Sequence, residues 1–561
     1  MILILLSWLY ITFTCINVGV GFGMLLKSDT KNFVLNALMG LFGVTLIASG
    51  WAFFGRINIE FHLFLLLVNA GLILGLNRKI AAVYLLFVRQ VSGLALSLKI
   101  LLAVNALLIL AQCASSPYFI DNETYYIQAI KWLNEYGFVK GLPNVHFFLA
   151  QCSGWHITQS AFNFSFLYKH FNDLSGYCLL LGNAFAVLKL QQYFTHNSRI
   201  ALIAGLLPMA NVVLFQFIST PSPDLPVYII TFIVFSYFLE HYAHFTTQGF
   251  MIVVALVLYG LFIKVIAVAL CLIPLVLLIK HYKRLYGILP HAIVLGLVTV
   301  ALWMGKNYII SGFPLFPSTI IDPKNAAWKI PPSITKLYAD ELKLYSFYVT
   351  KETYDRLNAW QLFMRWLTLP KADGIFNKLT TAVTILSPFF IYRFKNRQRY
   401  TILYFVFLLS VVLLFATSPQ YRFFMGYTLF FGQLIVEGVI SNKRVITAVL
   451  ALSVAVTAFT VLVPFSLTSK SRLTRSTFSV NNAMVPHKNS RLPYSFYKTQ
   501  MDGFEYYAPA DTTYFWASGD GPLPCINKNQ VQYFKSKFGL VPKMMGKEPG
   551  DGFYSAPVQK E

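Results

Sequence analysis

Two carboxylates two residues apart, Asp121 and Glu123, make Pro117-Tyr-Phe-Ile-Asp121-Asn-Glu123-Thr-Tyr-Tyr126 the most chemically suggestive stretch of the chain. Such a pair can take a proton from a hydroxyl or hold a divalent cation, Mg or Mn. Its bland counterpart is a solvated helix start, where acids satisfy free amides. Two histidines follow, His146 in Gly141-Leu-Pro-Asn144-Val-His146 and His156 after Trp155. Imidazole near neutral pH suits phosphate contact or proton transfer, or a purely local hydrogen bond. Asp224 closes Ser219-Thr-Pro-Ser-Pro-Asp224, where a helix cap is the simplest role.

Lys264 is the most informative single residue, because Gly260-Leu-Phe-Ile-Lys264-Val-Ile-Ala is otherwise apolar. An ammonium there is costly, so it marks a functional position or snorkels from a helix end. Lys306 and Asn307 stand at the mouth of a stretch whose Gly312, Pro314 and Pro317 force a turn, a structural role for those three, and both are candidates to bind ligand. Arg422, in Ser418-Pro-Gln-Tyr-Arg422, offers the bidentate contacts that suit phosphate. Other patterns carry little. Glu240, His241 and His244 lack the zinc-protease order, no glycine-rich phosphate loop is present, and the Asn122 to Thr124 sequon is a common chance match. The 6 cysteines show no paired spacing, so neither a disulfide framework nor a metal knuckle is indicated.

The elements that must position these residues are membrane spans. Of 561 residues, 57% are hydrophobic and only 12% charged, far more apolar than soluble domains. Apolar runs fall near 2–25, 33–55, 57–76, 98–114, 174–194, 199–217, 225–241, 249–263, 265–280, 286–304, 376–393, 400–416, 424–440 and 445–465. The first lacks a basic flank and a cleavage site and is read as a retained span. Short loops at 280–284, 393–399 and 442–444 concentrate Lys and Arg, which marks the cytoplasmic side. Counting crossings from them puts 115–172, 219–224, the Lys264 turn, 305–373, 418–422 and 466–561 on the opposite face. The run 80–97, with Arg89, is read as lying in the interface, which leaves the N-terminus outside. The net charge of +23 is thus mainly a topology signal, and nucleic acid is not an expected partner.

The predicted fold is an all-α polytopic membrane protein of roughly 14 spans with a small C-terminal extramembrane domain over 466–561. In that domain, Phe515, Trp516 and a turn-rich stretch at 519–525 suit glycan or peptide contact. A lid packed on the outer loops reads equally well.

The placement of Asp121, Glu123 and Tyr126 just after a span resembles the C-type (GT-C) membrane glycosyltransferases, whose first outer loop carries an acidic motif there. The likeness covers about residues 98–376. Additional N-terminal spans (1–97) precede it, and C-terminal spans (377–465) and the extracytoplasmic domain follow. The chain is also similar to a branch of bacterial multi-span proteins with the pattern Tyr136, Gly137, Gly141, Leu142, Asn144 and His146. The resemblance implies a multi-pass protein of the inner membrane that moves a sugar from a polyprenyl-phosphate-linked donor to a glycan, lipid or protein acceptor on the outer face. It implies Asp121 as the base, Glu123 as its assistant or a metal ligand, and Lys264, Arg422 and His146 as phosphate partners, with His156, Asp224 and Asn307 at the substrate. A secondary transporter, an O-antigen polymerase or ligase, and a non-catalytic scaffold are the competing readings. A transporter is disfavoured because no internal repeat is evident and the charges gather near one surface.

Overall fold

The computed structural model describes residues 1–168, 173–463, 477–492 and 494–558. The expected end of the first outer loop at 169–172, the end of the last span at 464–465, and 466–476, 493 and 559–561 of the C-terminal domain lie outside the described residues. Helices dominate because a chain in lipid must satisfy its backbone groups internally. Among the described residues, eleven helical stretches are long and apolar enough to cross a membrane. One of them, Val265–Ser311, contains two helices, Leu272–Leu285 and Leu289–Ser311, separated by a turn at Tyr286–Ile288. Thr247–Ile263 is shorter, and Tyr421–Val439 is long but carries Gln433 and Glu437.

Hydrogen bonds show which loops share an end of the bundle. The Ile2 and Leu3 amides donate to the Ala483 and Met484 carbonyls at 3.0 and 3.3 Å, so the first helix starts beside the C-terminal segment. Helix Ile2–Leu25 leads to Asp29, whose carboxylate meets Lys79 at 2.8 Å at the other end. Helix Phe33–Trp51 returns, and the Ala52 carbonyl accepts from the Phe138 amide at 2.8 Å. Next comes Ile59–Ser92, two helical stretches joined end to end at Leu76, whose backbone leaves the helical region. The sequence divides this region into the runs 57–76 and 80–97, and the break at Leu76 falls at that division. Beyond the break the chain passes from Lys79 to Ala95, whose amide donates to Gln191 Oε1 at 3.0 Å. Gln191 is near the last turn of Leu174–His196, so this second half begins and ends at the basic end of the bundle.

Several asparagines inside the bundle are paired with one another. Asn17 donates to Asn69 at 2.9 Å, and Asn183 and Asn211 exchange bonds at 3.1 and 2.9 Å. Within a membrane such pairs contribute about 0.6 kcal/mol each and fix the rotation of one helix against the next. At the basic end, Arg199 pairs with Glu437, and Arg399 donates to the Leu239 carbonyl at 2.6 Å.

The C-terminal segment is small and strand-bearing. Phe496–Met501 and Phe504–Pro509 pair antiparallel around a two-residue Asp-Gly turn with positive φ at Asp502 and Gly503, the arrangement that matches strand twist. Helix Lys528–Phe538 leads into the antiparallel pair Leu540–Met544 and Phe553–Pro557. The stretch 136–146 is its seat. The Phe553 amide donates to the Lys140 carbonyl at 2.9 Å, and Ser555 Oγ donates to Asn144 Oδ1 at 2.7 Å. Gly141 has φ +68, and a Cβ there would lie 2.0 Å from the Phe553 carbonyl oxygen. Only glycine allows both the left-handed backbone and that approach.

Candidate functional site

Four helix ends converge at the end of the bundle that carries the C-terminal segment. Asp121 immediately precedes a π-helical turn, Asn122–Tyr126. Asp224 opens Asp224–His241, and Arg422 is the second residue of Tyr421–Val439. Lys264 lies at the break where Thr247–Ile263 gives way to a 3-10 segment, Val265–Cys271, with extended backbone. A helix in an apolar run can present a charge at its end without burying an unpaired backbone group, which is why all four occupy termini.

Their side chains form one network. Arg422 Nη1 meets Asp121 Oδ2 at 2.5 Å and lies 3.7 Å from Asp224 Oδ2. Lys264 Nζ donates to Asp224 Oδ1 and stands 4.1 Å from the centroid of the Phe423 ring. Arg422 is further fixed by Nε donating to Gln420 Oε1 at 2.9 Å and by the Phe119 ring, 5.2 Å away. The Asp224 side chain is fully buried, whereas Asp121 is 20% exposed. Removing charge from water is expensive, so two acids and two bases that neutralise one another are the arrangement that can persist here. Tyr126 donates to the same Asp121 Oδ2 at 3.4 Å. Asp121 Oδ1 and Arg422 Nη2 are therefore not engaged by any described residue.

Asp121 and Arg422 line a cavity of about 330 Å³. Its walls are aromatic: Tyr118, Phe119, Tyr345, Tyr348, Tyr421, Tyr514 and Trp516, with Ser346, Gln420 and Asp373 adding polar groups. Asp373, in the first turn of Lys371–Tyr392, and Tyr514 are not among the residues expected at the site, whereas Trp516 is expected in contact with a glycan or peptide or in a lid. Asp373 was legible only as the end of a loop. Trp516 stands in a turn-rich aromatic stretch, the signal behind that expectation.

Four other expected site residues lie outside the cavity wall. Glu123 is 1% exposed and turned into the C-terminal segment. It accepts from Ser490 Oγ at 2.7 Å and from the Arg491 amide at 2.9 Å, while its own carbonyl accepts from the Ser518 and Gly519 amides at 3.0 and 2.8 Å. Burial pushes its carboxyl up, against the pull of those hydrogen bonds. Asp121 and Glu123 thus do not converge on one cation, and Arg422 already stands beside Asp121. Among the described residues, no group of three or more His, Cys, Asp and Glu could hold a metal ion.

His146 bonds through Nε2 to the Trp516 carbonyl at 3.1 Å, and burial lowers its imidazole to about 4, so it is neutral at pH 7. His156 is buried behind Tyr126, ring centroids 4.9 Å apart, and burial, with Lys306 and Lys264 nearby, lowers it to about 3. Asn307 donates to the Pro314 carbonyl at 3.3 Å and closes the turn that follows its helix. The pattern that includes Gly141, Asn144 and His146 is accordingly the seat of the C-terminal segment.

Fold and site together define a polytopic helical membrane protein with a charge-neutralised cluster beneath an aromatic cavity at one end. The chain belongs to the family described as a domain of unknown function (DUF8201), whose model matches residues 1–429. The matched stretch holds Asp121, Asp224, Lys264, Asp373 and Arg422, and the C-terminal segment lies beyond it. No curated protein and no solved structure matches the chain.

Proposed function

We propose that the protein is a glycosyltransferase of the inner membrane that takes a sugar from a polyprenyl-phosphate-linked donor and passes it to an acceptor hydroxyl on the outer face, across a bundle of fourteen crossings. The observation that carries this reading is the Asp121–Arg422 pair at the aromatic cavity, with one carboxylate oxygen and one guanidinium nitrogen left unengaged. In the proposed reaction, Asp121 accepts the proton of the acceptor hydroxyl as its oxygen bonds to the anomeric carbon. The bond from that carbon to the phosphate oxygen breaks, and Arg422 Nη2 stabilises the charge that develops on the leaving phosphate. Lys264 is committed to Asp224, so its part is to hold Asp224 and, through it, the guanidinium of Arg422.

The test is mass spectrometry of surface glycans and glycoproteins from cells that lack the gene. One sugar is expected to be missing, to return with the wild-type chain, and to stay missing with Asp121→Asn at equal membrane abundance. An unchanged glycan profile in the deletion, or full restoration by Asp121→Asn, overturns the reading.

A further inference from the structure

Several stretches of the chain wall the cavity. Tyr345 and Tyr348 come from the second outer loop, and Tyr514 and Trp516 come from the C-terminal segment. The turn that carries the latter pair is held with unusual completeness. Three consecutive carbonyls each accept from a different side chain: Tyr514 from Asn527 Nδ2 at 3.1 Å, Phe515 from Gln530 Nε2 at 2.9 Å, and Trp516 from His146 Nε2 at 3.1 Å. The Trp516 ring is further set by Phe147 and Phe148, with centroids 4.7 and 5.3 Å away. Tyr514 shares a hydrogen bond of 3.2 Å with Thr124.

The segment is also fastened beside the acidic motif. Glu123 takes the Ser490 hydroxyl and the Arg491, Ser518 and Gly519 amides. Gln128 Nε2 donates to the Gly519 and Gly521 carbonyls, both at 3.0 Å, and Lys131 pairs with Asp520 at 2.8 Å. These contacts fix two aromatic faces above Asp121 before any ligand arrives, the condition under which a stacking site binds without an ordering cost.

We infer that Tyr514 and Trp516 form the acceptor subsite and that it takes an uncharged sugar ring. The apolar faces of such a ring stack on aromatic side chains, and its hydroxyls meet the Tyr, Ser346 and Gln420 groups that line the same cavity. An anionic acceptor fits poorly: among the described residues Arg422 is the only cation lining the cavity, Asp121 already occupies one of its faces, and Asp373 adds a second carboxylate to the wall. Glu123, Gln128, Lys131 and His146 are positioning residues, which act by holding the segment in place. This subsite rests on the transferase reading for its name, but its binding is measurable without turnover.

The experiment is saturation-transfer NMR on the full-length protein in lipid nanodiscs, with the methyl glycosides of glucose, galactose, mannose and N-acetylglucosamine as probes. At least one probe is expected to receive saturation on its ring protons. The signal should be lost in Trp516→Ala but kept in Trp516→Phe. In transfer assays Trp516→Ala should raise the acceptor KM roughly tenfold with little change in kcat. If no probe is saturated, or if Trp516→Ala is saturated like the wild type, the subsite is overturned, whatever Asp121→Asn does to transfer. Binding that behaves as expected in a protein whose deletion leaves surface glycans unchanged keeps the subsite and removes the transferase.

Discussion

Glu123 shows how two neighbouring acids can be divided between chemistry and architecture. Its carboxylate is spent on Ser490 and the Arg491 amide, so Glu123→Ala removes two half-buried hydrogen bonds, at a cost of about 1–3 kcal/mol. Glu123→Gln keeps an oxygen for one of them and should cost less. Thermal unfolding in nanodiscs, together with protease sensitivity of the C-terminal segment, checks both expectations. His146 gives a pH dependence of definite sign. Its folded value, about 4, lies below the ordinary 6.5, so the unfolded chain binds the extra proton first. The stabilisation is fully present above pH 6.5 and is lost as pH falls towards 4, a range worth on the order of 3 kcal/mol. The unfolding midpoints of the wild type and His146→Gln should therefore draw together across that range. A difference that widened on acidification would contradict the assignment. Asp121 and Glu123 were both visible in the sequence, but their separation was not, because it depends on a partner segment more than 360 residues further on.

At the scale of elements, the cluster belongs to helix ends. Lys264 and Arg422 were legible because a cation in apolar sequence needs a reason, and Asp224 because a helix start accepts an acid. The pairing of Lys264 with Asp224 was not legible, since it is set by how two helices abut. Lys264→Met leaves Asp224 buried with only Arg422 nearby, and the expected loss is about 3–5 kcal/mol. Adding Asp224→Asn removes the stranded charge and should recover much of that loss, as a paired comparison of unfolding midpoints will show. The apolar runs gave the helices correctly because lipid leaves the backbone few alternatives. The division of 57–76 from 80–97 coincides with the non-helical backbone at Leu76, and the second helix follows directly with no loop between the two.

For the whole molecule, the proposed orientation puts Ile320 outside and Lys395 inside. Ile320 is 88% exposed on the second outer loop, and Lys395 is exposed in the basic turn after Lys371–Tyr392. Asp224, by contrast, is too buried to report. A membrane-impermeant thiol reagent applied to intact cells should label Ile320→Cys and spare Lys395→Cys until the membrane is opened. Background is low because five of the six native cysteines are buried and Cys271 is only partly exposed. Labelling of both positions from one side would undo the topology.

The site joins residues from 121 to 422 with a roof from beyond 482, and the Ile2 and Leu3 amides bond to Ala483 and Met484 at the start of that last segment. Synthesis runs from the N-terminus, so Asp121, Asp224, Lys264 and Arg422 are all made before Tyr514 and Trp516. On the proposed reading, a chain cut short before residue 482 would hold the Asp121–Arg422 pair without the two aromatic faces that meet an acceptor.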